Sequence, residues 1–215
     1  MTIPFFAYSP GHPAAEEARA VFRGRMERRY AGWDDAYDRQ FDASSFVFAV
    51  RCPDTGEIDA TCRIVFKHIG DIRTPMECGD LGRHVAAEHA TVAEGGMVSF
   101  RTRAAMLALM HGVCAWLMET DVRRLYVMHD TDSFFFRNLY TRALHLTPVS
   151  GAVVSFSGFL CRDTGAPARW QVMVGDPVVT GPRILETLRG LGAVAPTCAD
   201  LPRLADYLLA EQLAA

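Results

Sequence analysis

The residues best suited to chemistry lie in the segment 92–103, where a carboxylate enters a short apolar run. Glu94 stands near the start of this run, and a carboxylate placed there can act as a general base. Backbone N–H groups further along the run can hold an acyl carbonyl. These N–H groups belong to Val98, Ser99 and Phe100. The segment therefore predicts chemistry at an acyl carbonyl, with Glu94 as the base.

Two arginines follow the same run, immediately before an apolar pattern that predicts a long helix. Arg101 and Arg103 would stand at the N-terminus of that helix, where free N–H groups already favour anions. We expect these two residues to bind the phosphate of an acyl donor. The apolar residues from Phe100 to Phe136 either line a channel for the acyl chain or form ordinary core.

A second group of polar residues precedes this segment. Residues 30–42 hold four aspartates among aromatic side chains and follow no periodicity. Such a segment can enclose an amine, although a surface loop with its aromatics packed on the core has the same composition. Its candidate residues are Trp33, Asp38 and Asp42. Downstream, Arg63 stands in an apolar strand and should meet a carboxylate, because an unpaired buried charge is costly.

The composition bounds the class of protein. The chain has 215 residues, of which 50% are hydrophobic, and this is ample for one packed domain. The net charge of -3 argues against nucleic acid or an anionic membrane as the main partner. No apolar run reaches the roughly 18 residues of a membrane span, and residues 1–10 lack a signal-peptide pattern. We expect a cytoplasmic protein without integral membrane association.

Other common kinds of site find no support in the sequence. The six cysteines include no CxxC pair, and the seven histidines include no HxxxH or HExxH spacing. We therefore expect free thiols and no metal site. Ser99 lacks the GxSxG context of a serine hydrolase. His129, which precedes Asp130 at a strand end, is either a second proton-transfer group or the partner in a structural hydrogen bond.

The periodicity of apolar residues predicts one α/β (α+β) domain over residues 1–215. Strands are predicted at 45–50, 58–67, 92–100, 125–128, 153–160 and 170–174. Helices are predicted at 14–29, 103–119, 133–144, 182–191 and 201–213, with an irregular arm at 1–13 and a long loop at 68–91. Early strands that follow one another favour antiparallel pairing, whereas later strand–helix–strand units favour parallel pairing. The expected architecture is a mixed twisted sheet with helices on both faces.

The first predicted helix carries a cluster of basic residues. They are Arg19, Arg23, Arg25, Arg28 and Arg29. Such a cluster is either a solvated helix face or a patch that meets an acidic carrier protein. The sequence leaves both interpretations open.

The order of these elements, with Glu94 in the third core strand, resembles the GNAT acyltransferase fold. Five features narrow the resemblance: Arg19, Phe22 and Arg23 in the first helix, Gly32-Trp33, Phe41-Asp42, Cys62-Arg63 and Glu94. In this order they resemble the acyl-homoserine-lactone synthases of the LuxI type and the long-chain N-acyl amino acid synthases. The resemblance covers residues 14–160, and the helical tail predicted at 176–215 adds nothing to it.

The resemblance implies transfer of a fatty acyl group from an acyl carrier protein, or from coenzyme A, to the amine of a small acceptor. It implies that Glu94 takes the amine proton directly or through water. Asp38 (or Asp35) and Asp42 would support the amine side, with Arg63 paired to that acidic group. Trp33 would lie over the acceptor in a mobile lid. No permanently bound cofactor is implied, since the donor is a substrate.

Two departures from the family pattern bear on the substrates. LuxI-type synthases carry an arginine three residues after the glutamate, and here that residue is Met97. This weakens the interpretation with S-adenosylmethionine as acceptor and favours another amine. The stretch Arg101–Ala105 also has no glycine at which a backbone could approach a diphosphate, so we expect a carrier-protein donor. The alternatives are a coenzyme A-dependent acetyltransferase and a non-catalytic domain that binds an acyl ligand or a protein.

Overall fold

The structure is a computed structural model that describes residues 3–66, 92–120 and 122–198. Within these ranges nine strands form one mixed sheet. In chain order they are β1 (Pro4–Tyr8), β2 (Tyr30–Ala31), β3 (Ser45–Arg51), β4 (Ile58–Phe66), β5 (Val92–Phe100), β6 (Arg124–Asp130), β7 (Thr147–Cys161), β8 (Pro167–Gly175) and β9 (Thr197–Cys198). Their spatial order is β2-β7-β8-β6-β5-β4-β3-β1-β9. Among these strands, β5 with β6 and β1 with β9 pair in parallel, and the other pairs are antiparallel.

Helices cover both faces of this sheet. In chain order they are α1 (Ala15–Arg29), α2 (Asp35–Arg39), α3 (Arg103–Met118), α4 (Phe134–Asn138) and α5 (Pro177–Gly190). A 3₁₀ turn at Asp42–Ser44 precedes β3, and a π-helical turn at Leu139–Ala143 continues α4.

The alternation of side chains along β3 explains the two layers of helices. Successive residues of a strand point to opposite faces. Val47 packs in one buried cluster with Ala18 of α1. Phe48 points the other way, and its ring lies 5.0 Å from that of Trp116 in α3. The mixed sheet between two helical layers confirms the predicted fold class.

The paired strands β5 and β6 separate halfway along their length. Their parallel pairing ends at Gly95. Beyond it β5 pairs with β4 alone, and its register shifts between Gly96 and Ser99 because β5 contains one extra residue, a β-bulge. Met97 lies in the bulge with φ of 54°, an uncommon value for a residue with a side chain. Since β6 continues beside β8, a gap opens between β5 and β6.

The N-terminal arm corrects one prediction. The several prolines of residues 1–13 predict an irregular arm, but Pro4–Tyr8 is β1, antiparallel to β3. Phe5 is 1% exposed, and its ring stacks 5.9 Å from that of Phe48. Proline is tolerated at the first residue of a strand. The burial of Phe5, a tertiary effect, therefore outweighs the local proline signal.

Other predicted elements are present with changed boundaries. The segment 30–42, expected to be a loop, contains β2 and α2, and the Asp34 carboxylate caps α2 by accepting from two backbone N–H groups. β7 begins earlier than predicted, at Thr147. α5 also begins earlier, because Asp176 caps it ahead of Pro177. The predicted loop at 68–91 and helix at 201–213 lie outside the described residues.

Candidate active site

A cavity of about 420 Å³ lies between α1, the segment around α2 and the diverging halves of β5 and β6. This size is typical of pockets for small molecules. The aromatic residues of its wall are Phe22, Tyr30, Trp33, Tyr37, Phe136, Tyr140, Phe159 and Trp170. The acidic and basic residues of its wall are Asp34, Asp38, Glu94, Asp130, Arg25, Arg29 and Arg63.

This cavity brings together residues that the sequence separates widely. Trp33, Asp38, Arg63, Glu94 and Val98 all line it. The sequence marks each of them as a candidate for the acceptor or donor side of one reaction. The structure therefore places the two predicted halves around one space.

Glu94 is held in the middle of the sheet. It lies on β5 opposite Val65 of β4 and Tyr126 of β6, one residue before the parallel pairing ends. It is 4% exposed and still lines the cavity. Its carboxylate is therefore screened from bulk water in the wall of this space, and its role as a general base stays a prediction.

Asp38 and Arg63 form the buried ion pair that the sequence predicted. Arg63 donates from Nη2 to Oδ1 of Asp38 over 2.8 Å and from Nη1 to Oδ2 over 3.0 Å. Arg19 of α1 donates to the same Oδ2 over 3.0 Å. This paired geometry compensates part of the cost of burying the charges. The network joins α1, α2 and β4 and fixes one wall of the cavity.

Asp42 lies behind this wall and is not part of the cavity lining. It accepts a hydrogen bond from Arg19 and lies 3.8 Å from Nη1 of Arg63. Burial raises the pKa of its carboxyl above the usual value, and the two arginines only partly oppose this effect. Its predicted support of the amine side remains a prediction, and its contacts here are with the arginines.

Trp33 is positioned by the glycine before it and by two rings. Its indole makes edge contacts with Phe22 and Phe159 at centroid distances of 5.4 and 5.9 Å. Gly32 has φ of 78° and lies against the Gly158 carbonyl oxygen, which a Cβ atom would overlap. Only glycine fits this conformation and this approach together.

We expect Gly32→Ala to unfold more easily and to displace Trp33. The left-handed backbone alone costs an alanine about 1–2 kcal/mol, and the overlap with Gly158 adds to it. Gly56→Ala is the matched control, since Gly56 has φ of 73° and a Cβ atom added to it would meet no other atom within 4 Å. Thermal unfolding and tryptophan fluorescence measure both effects. Equal losses in the two variants would contradict the proposed contact.

Several cavity residues carry polar atoms without acceptors. Within the described part of the chain, Nε1 of Trp33, Nε1 of Trp170 and Nε of Arg63 are buried and have no hydrogen-bond partner. Buried donors are normally satisfied. Three such donors around one cavity are consistent with a bound molecule that offers oxygen acceptors.

Asp130 anchors the far wall of the cavity. Its Oδ2 accepts from the Tyr30 hydroxyl over 2.6 Å and from Nη2 of Arg29 over 2.8 Å. Burial alone would raise the pKa of Asp130, but hydrogen bonds from Tyr30, the backbone of Asp132 and Arg29 lower it below the usual value. These contacts hold the end of α1 against the end of β6.

His129 lines the cavity beside this anchor. Its Nδ1 lies 2.9 Å from the backbone oxygen of Asp130, and its ring meets that of Tyr140 edge to face at 5.9 Å. The contact with the backbone is the structural hydrogen bond that the sequence allowed. The position in the wall also keeps a role in proton transfer open to test.

Only one of the residues predicted to bind the acyl donor lines the cavity. Val98 lines the cavity at the bulge, whereas Ser99 is buried outside the lining and Phe100 packs against the rings of α4. Arg101 is exposed and paired with Glu57, and Arg103 is exposed at the start of α3. The two arginines therefore lie on the surface near the end of β5.

A second, apolar pocket of about 50 Å³ lies on the α3 side of β5. It shares Arg63, Gly95, Gly96, Val98 and Tyr140 with the first cavity, so these residues form a wall common to both spaces where β5 leaves β6. Its apolar lining includes Cys62, Met110, Val113, Cys114, Leu117, Leu144 and Ile184. The apolar residues of α3 belong to the core, and those that line this pocket stay predicted channel residues.

Sequence reasoning missed several residues of the site. Arg25, Tyr30 and Asp130 line the cavity, although the sequence did not mark them as site residues. One signal was available for Arg25, since it follows Phe22 by three residues and such residues share a helix face. Tyr30 lies in the aromatic segment 30–42, but its contact with Asp130 offers no local signal, because it joins residues a hundred positions apart.

The described ranges show neither a metal site nor a membrane-spanning helix. There, no group of three or more His, Cys, Asp and Glu side chains is placed to hold a metal ion. Likewise, no helix in those ranges has the length and apolar character needed to cross a membrane. Cys52, Cys62, Cys114 and Cys161 are free thiols.

Comparison with known proteins shows which solved structures have a similar fold. No family model matches the chain, and no curated protein matches its sequence. Among solved structures, FeeM, an N-acyl amino acid synthase from uncultured soil microbes, matches with TM-score 0.62 and 18% identity over 88% of this chain and 99% of its own. MesI, a CoA-dependent acyl-homoserine lactone synthase, matches with TM-score 0.60 and 16% identity over 92% and 100%.

A more distant match has the same general fold. A GNAT family acetyltransferase from Elizabethkingia anophelis, with acetyl-CoA bound, matches with TM-score 0.53 and 10% identity over 81% of this chain and 98% of its own. At such low identities these likenesses establish the architecture and not the activity. The chain therefore has the GNAT fold, in a form similar to that of N-acyl amino acid and acyl-homoserine lactone synthases.

Proposed function

We propose that the protein is an N-acyltransferase that moves a fatty acyl group from an acyl carrier protein or acyl-CoA to the amine of an amino acid or related small molecule. The observation that carries this proposal is the position of Glu94. It is a buried carboxylate in a cavity wall, at the point where β5 and β6 separate and a second, apolar space begins.

The reaction follows from these groups. Glu94 accepts a proton from the acceptor ammonium, and the neutral amine attacks the thioester carbonyl. A C–N bond forms, the C–S bond breaks, and the donor leaves as a thiol after taking up a proton. A backbone N–H at the bulge around Val98 would stabilise the oxyanion, a contribution of about 3–4 kcal/mol for one donor. Trp33 and Asp38 would shape the acceptor side.

The apolar pocket behind β5 supports a fatty acyl group over acetyl. An acetyl group ends at the carbonyl and has no chain to place beyond the gap. The pocket is lined almost entirely by apolar side chains and shares Gly95 and Gly96 with the wall of the cavity. Burial of each methylene there is favourable by about 0.8 kcal/mol. Neighbouring side chains would have to shift to admit a long chain.

The carrier protein is the proposed donor because the turn before α3 has no glycine. Arg101 pairs with Glu57, and Thr102 caps the helix by accepting from the Ala105 N–H over 3.1 Å. Arg101 and Arg103 offer charge to a single phosphate at the surface, but the turn offers no close backbone cradle for a diphosphate. The fold alone does not decide, since MesI is described as CoA-dependent.

Mass spectrometry tests the proposed reaction. Organic extracts of cells that express the protein are expected to contain an N-acylated amino compound absent from cells with empty vector. Purified protein with acyl carrier protein or coenzyme A thioesters of one chain length then ranks the donors, with the carrier protein expected to give the higher kcat/KM. A product seen only with acetyl-CoA would instead support a GNAT acetyltransferase. No transfer with any donor would favour a binding domain.

We expect Cys114→Leu to shorten the preferred acyl chain. Cys114 is buried in the apolar pocket, and burial raises the pKa of its thiol to about 12, so it acts as an apolar group. The added bulk should lower kcat/KM for the longest accepted chain relative to a shorter one by about 10-fold or more. Cys52→Leu, in the turn after β3, is the control. An unchanged chain-length profile would remove this pocket from the acyl path.

A further inference from the structure

Three arginines line the cavity, and two of them are already neutralised. Arg63 pairs with Asp38, and Arg29 pairs with Asp130. Arg25, from the third turn of α1, has no carboxylate partner within the part of the chain that the structure describes. A cation in the wall of a cavity that lacks an anion of its own is an available binding group for one.

Arg25 is nevertheless held in a fixed place. Its guanidinium lies over the rings of Phe100 and Phe136 at 5.1 and 5.2 Å from their centroids. Its Nη1 donates to the Val98 carbonyl oxygen over 3.5 Å. Burial lowers its pKa from the usual value, yet an arginine keeps its charge at neutral pH. Within residues 3–66, 92–120 and 122–198, two ring contacts and one long hydrogen bond leave most of its five N–H donors for a ligand.

The position of Arg25 relative to Glu94 indicates the kind of ligand. Arg25 contacts β5 at Val98, four residues beyond Glu94, which is about 13 Å along a strand. Both residues line the same cavity. A cavity wall that carries both a carboxylate and a guanidinium suits a molecule with an ammonium group and a carboxylate, and the fork of a guanidinium matches the two oxygens of a carboxylate.

We infer that Arg25 binds the carboxylate of the acceptor, so that the acceptor is an amino acid and not a simple amine. This inference rests on the proposed function. The donor phosphate is a poorer match for Arg25. In the donor, the length of the pantetheine arm separates this phosphate from the thioester. Arg25 instead contacts the bulge in β5, beside which the thioester would react.

The inference can be tested without catalysis by comparing the binding of amino acids with the binding of the corresponding amines. Trp33 and Trp170 line the cavity, so their fluorescence can report occupancy. The probes are the protein amino acids, each paired with the amine formed by its decarboxylation. Wild-type protein is expected to bind at least one amino acid about 10- to 100-fold more tightly than its amine, as for hydrogen bonds to a charged group. Arg25→Gln should remove that preference, and Arg25→Lys should restore part of it.

Arg28→Gln is the matched control, because Arg28 is exposed on the same helix. It should leave the preference unchanged. Three results would overturn the inference: no amino acid binds, the wild type binds amines equally well, or Arg25→Gln keeps the preference. An equal loss of both members of a pair would also overturn it, since it would indicate a structural role.

Acylation of the same pairs separates this inference from the proposed function. If amino acids and amines are acylated with equal kcat/KM, the carboxylate contact is wrong and the acyltransferase stands. If no pair yields product with either donor, the proposed reaction is wrong, and the binding measurements alone decide the role of Arg25.

Discussion

Glu94→Gln is expected to lower kcat for acyl transfer by about 100- to 10,000-fold, the usual contribution of a positioned general base. Glutamine keeps the shape of the side chain and one acceptor oxygen, but its amide cannot take the amine proton. Because Glu94 lies in the sheet between β4 and β6, the amide should keep the packing. The melting temperature should therefore change little while turnover falls.

Matched variants make this result specific. Glu27→Gln changes the same side chain at an exposed position of α1 and should retain full activity. Turnover is measured with purified protein by release of free donor thiol, and acceptor binding is followed separately by tryptophan fluorescence. A fall in kcat with acceptor affinity preserved supports proton transfer by Glu94. Full activity in Glu94→Gln would exclude it from the mechanism.

The contact between Arg63 and a carboxylate could be predicted from the sequence because it follows from one strong rule. An arginine inside an apolar strand must be paired, and acidic residues are concentrated in 30–42. The structure confirms the contact with Asp38. The same reasoning could not assign Asp38 over Asp35 or Asp42, because that choice depends on the short helix α2.

The positions of the α1 arginines could not be predicted from the sequence. The sequence allowed a solvated face or a docking patch, but Arg19 is 3% exposed and bonded to Asp38, and Arg25 lines the cavity. Helical periodicity identifies a face by its apolar residues, so a charged residue that is buried through a distant partner is assigned to solvent. Likewise, the gap between β5 and β6 depends on a bulge at Met97, whose φ no side-chain pattern predicts.

Asp38→Ala is expected to lower the free energy of unfolding by about 3–5 kcal/mol, because it leaves buried charge without its partner. Arg63 and Arg19 are each 3% exposed and both donate to Asp38. Asp42 would remain near both arginines and Asp35 near Arg19, but Arg63 would lose both hydrogen bonds to a carboxylate. Chemical denaturation measures the loss, and the melting temperature should fall by about 2–4 °C for each kcal/mol. Asp34→Ala, at an exposed cap of α2, is the control and should cost about 1 kcal/mol.

A double variant separates stability from activity at this position. Asp38→Leu with Arg63→Met replaces the ion pair by apolar groups, a change that is often neutral or stabilising for buried pairs. Arg19 would then retain Asp35 and Asp42 as partners. We expect stability to recover relative to Asp38→Ala while acceptor binding stays weak, because Asp38 and Arg63 both line the cavity. Recovery of both properties would mean that the pair only supports the fold and that acceptor recognition depends on other residues of the wall.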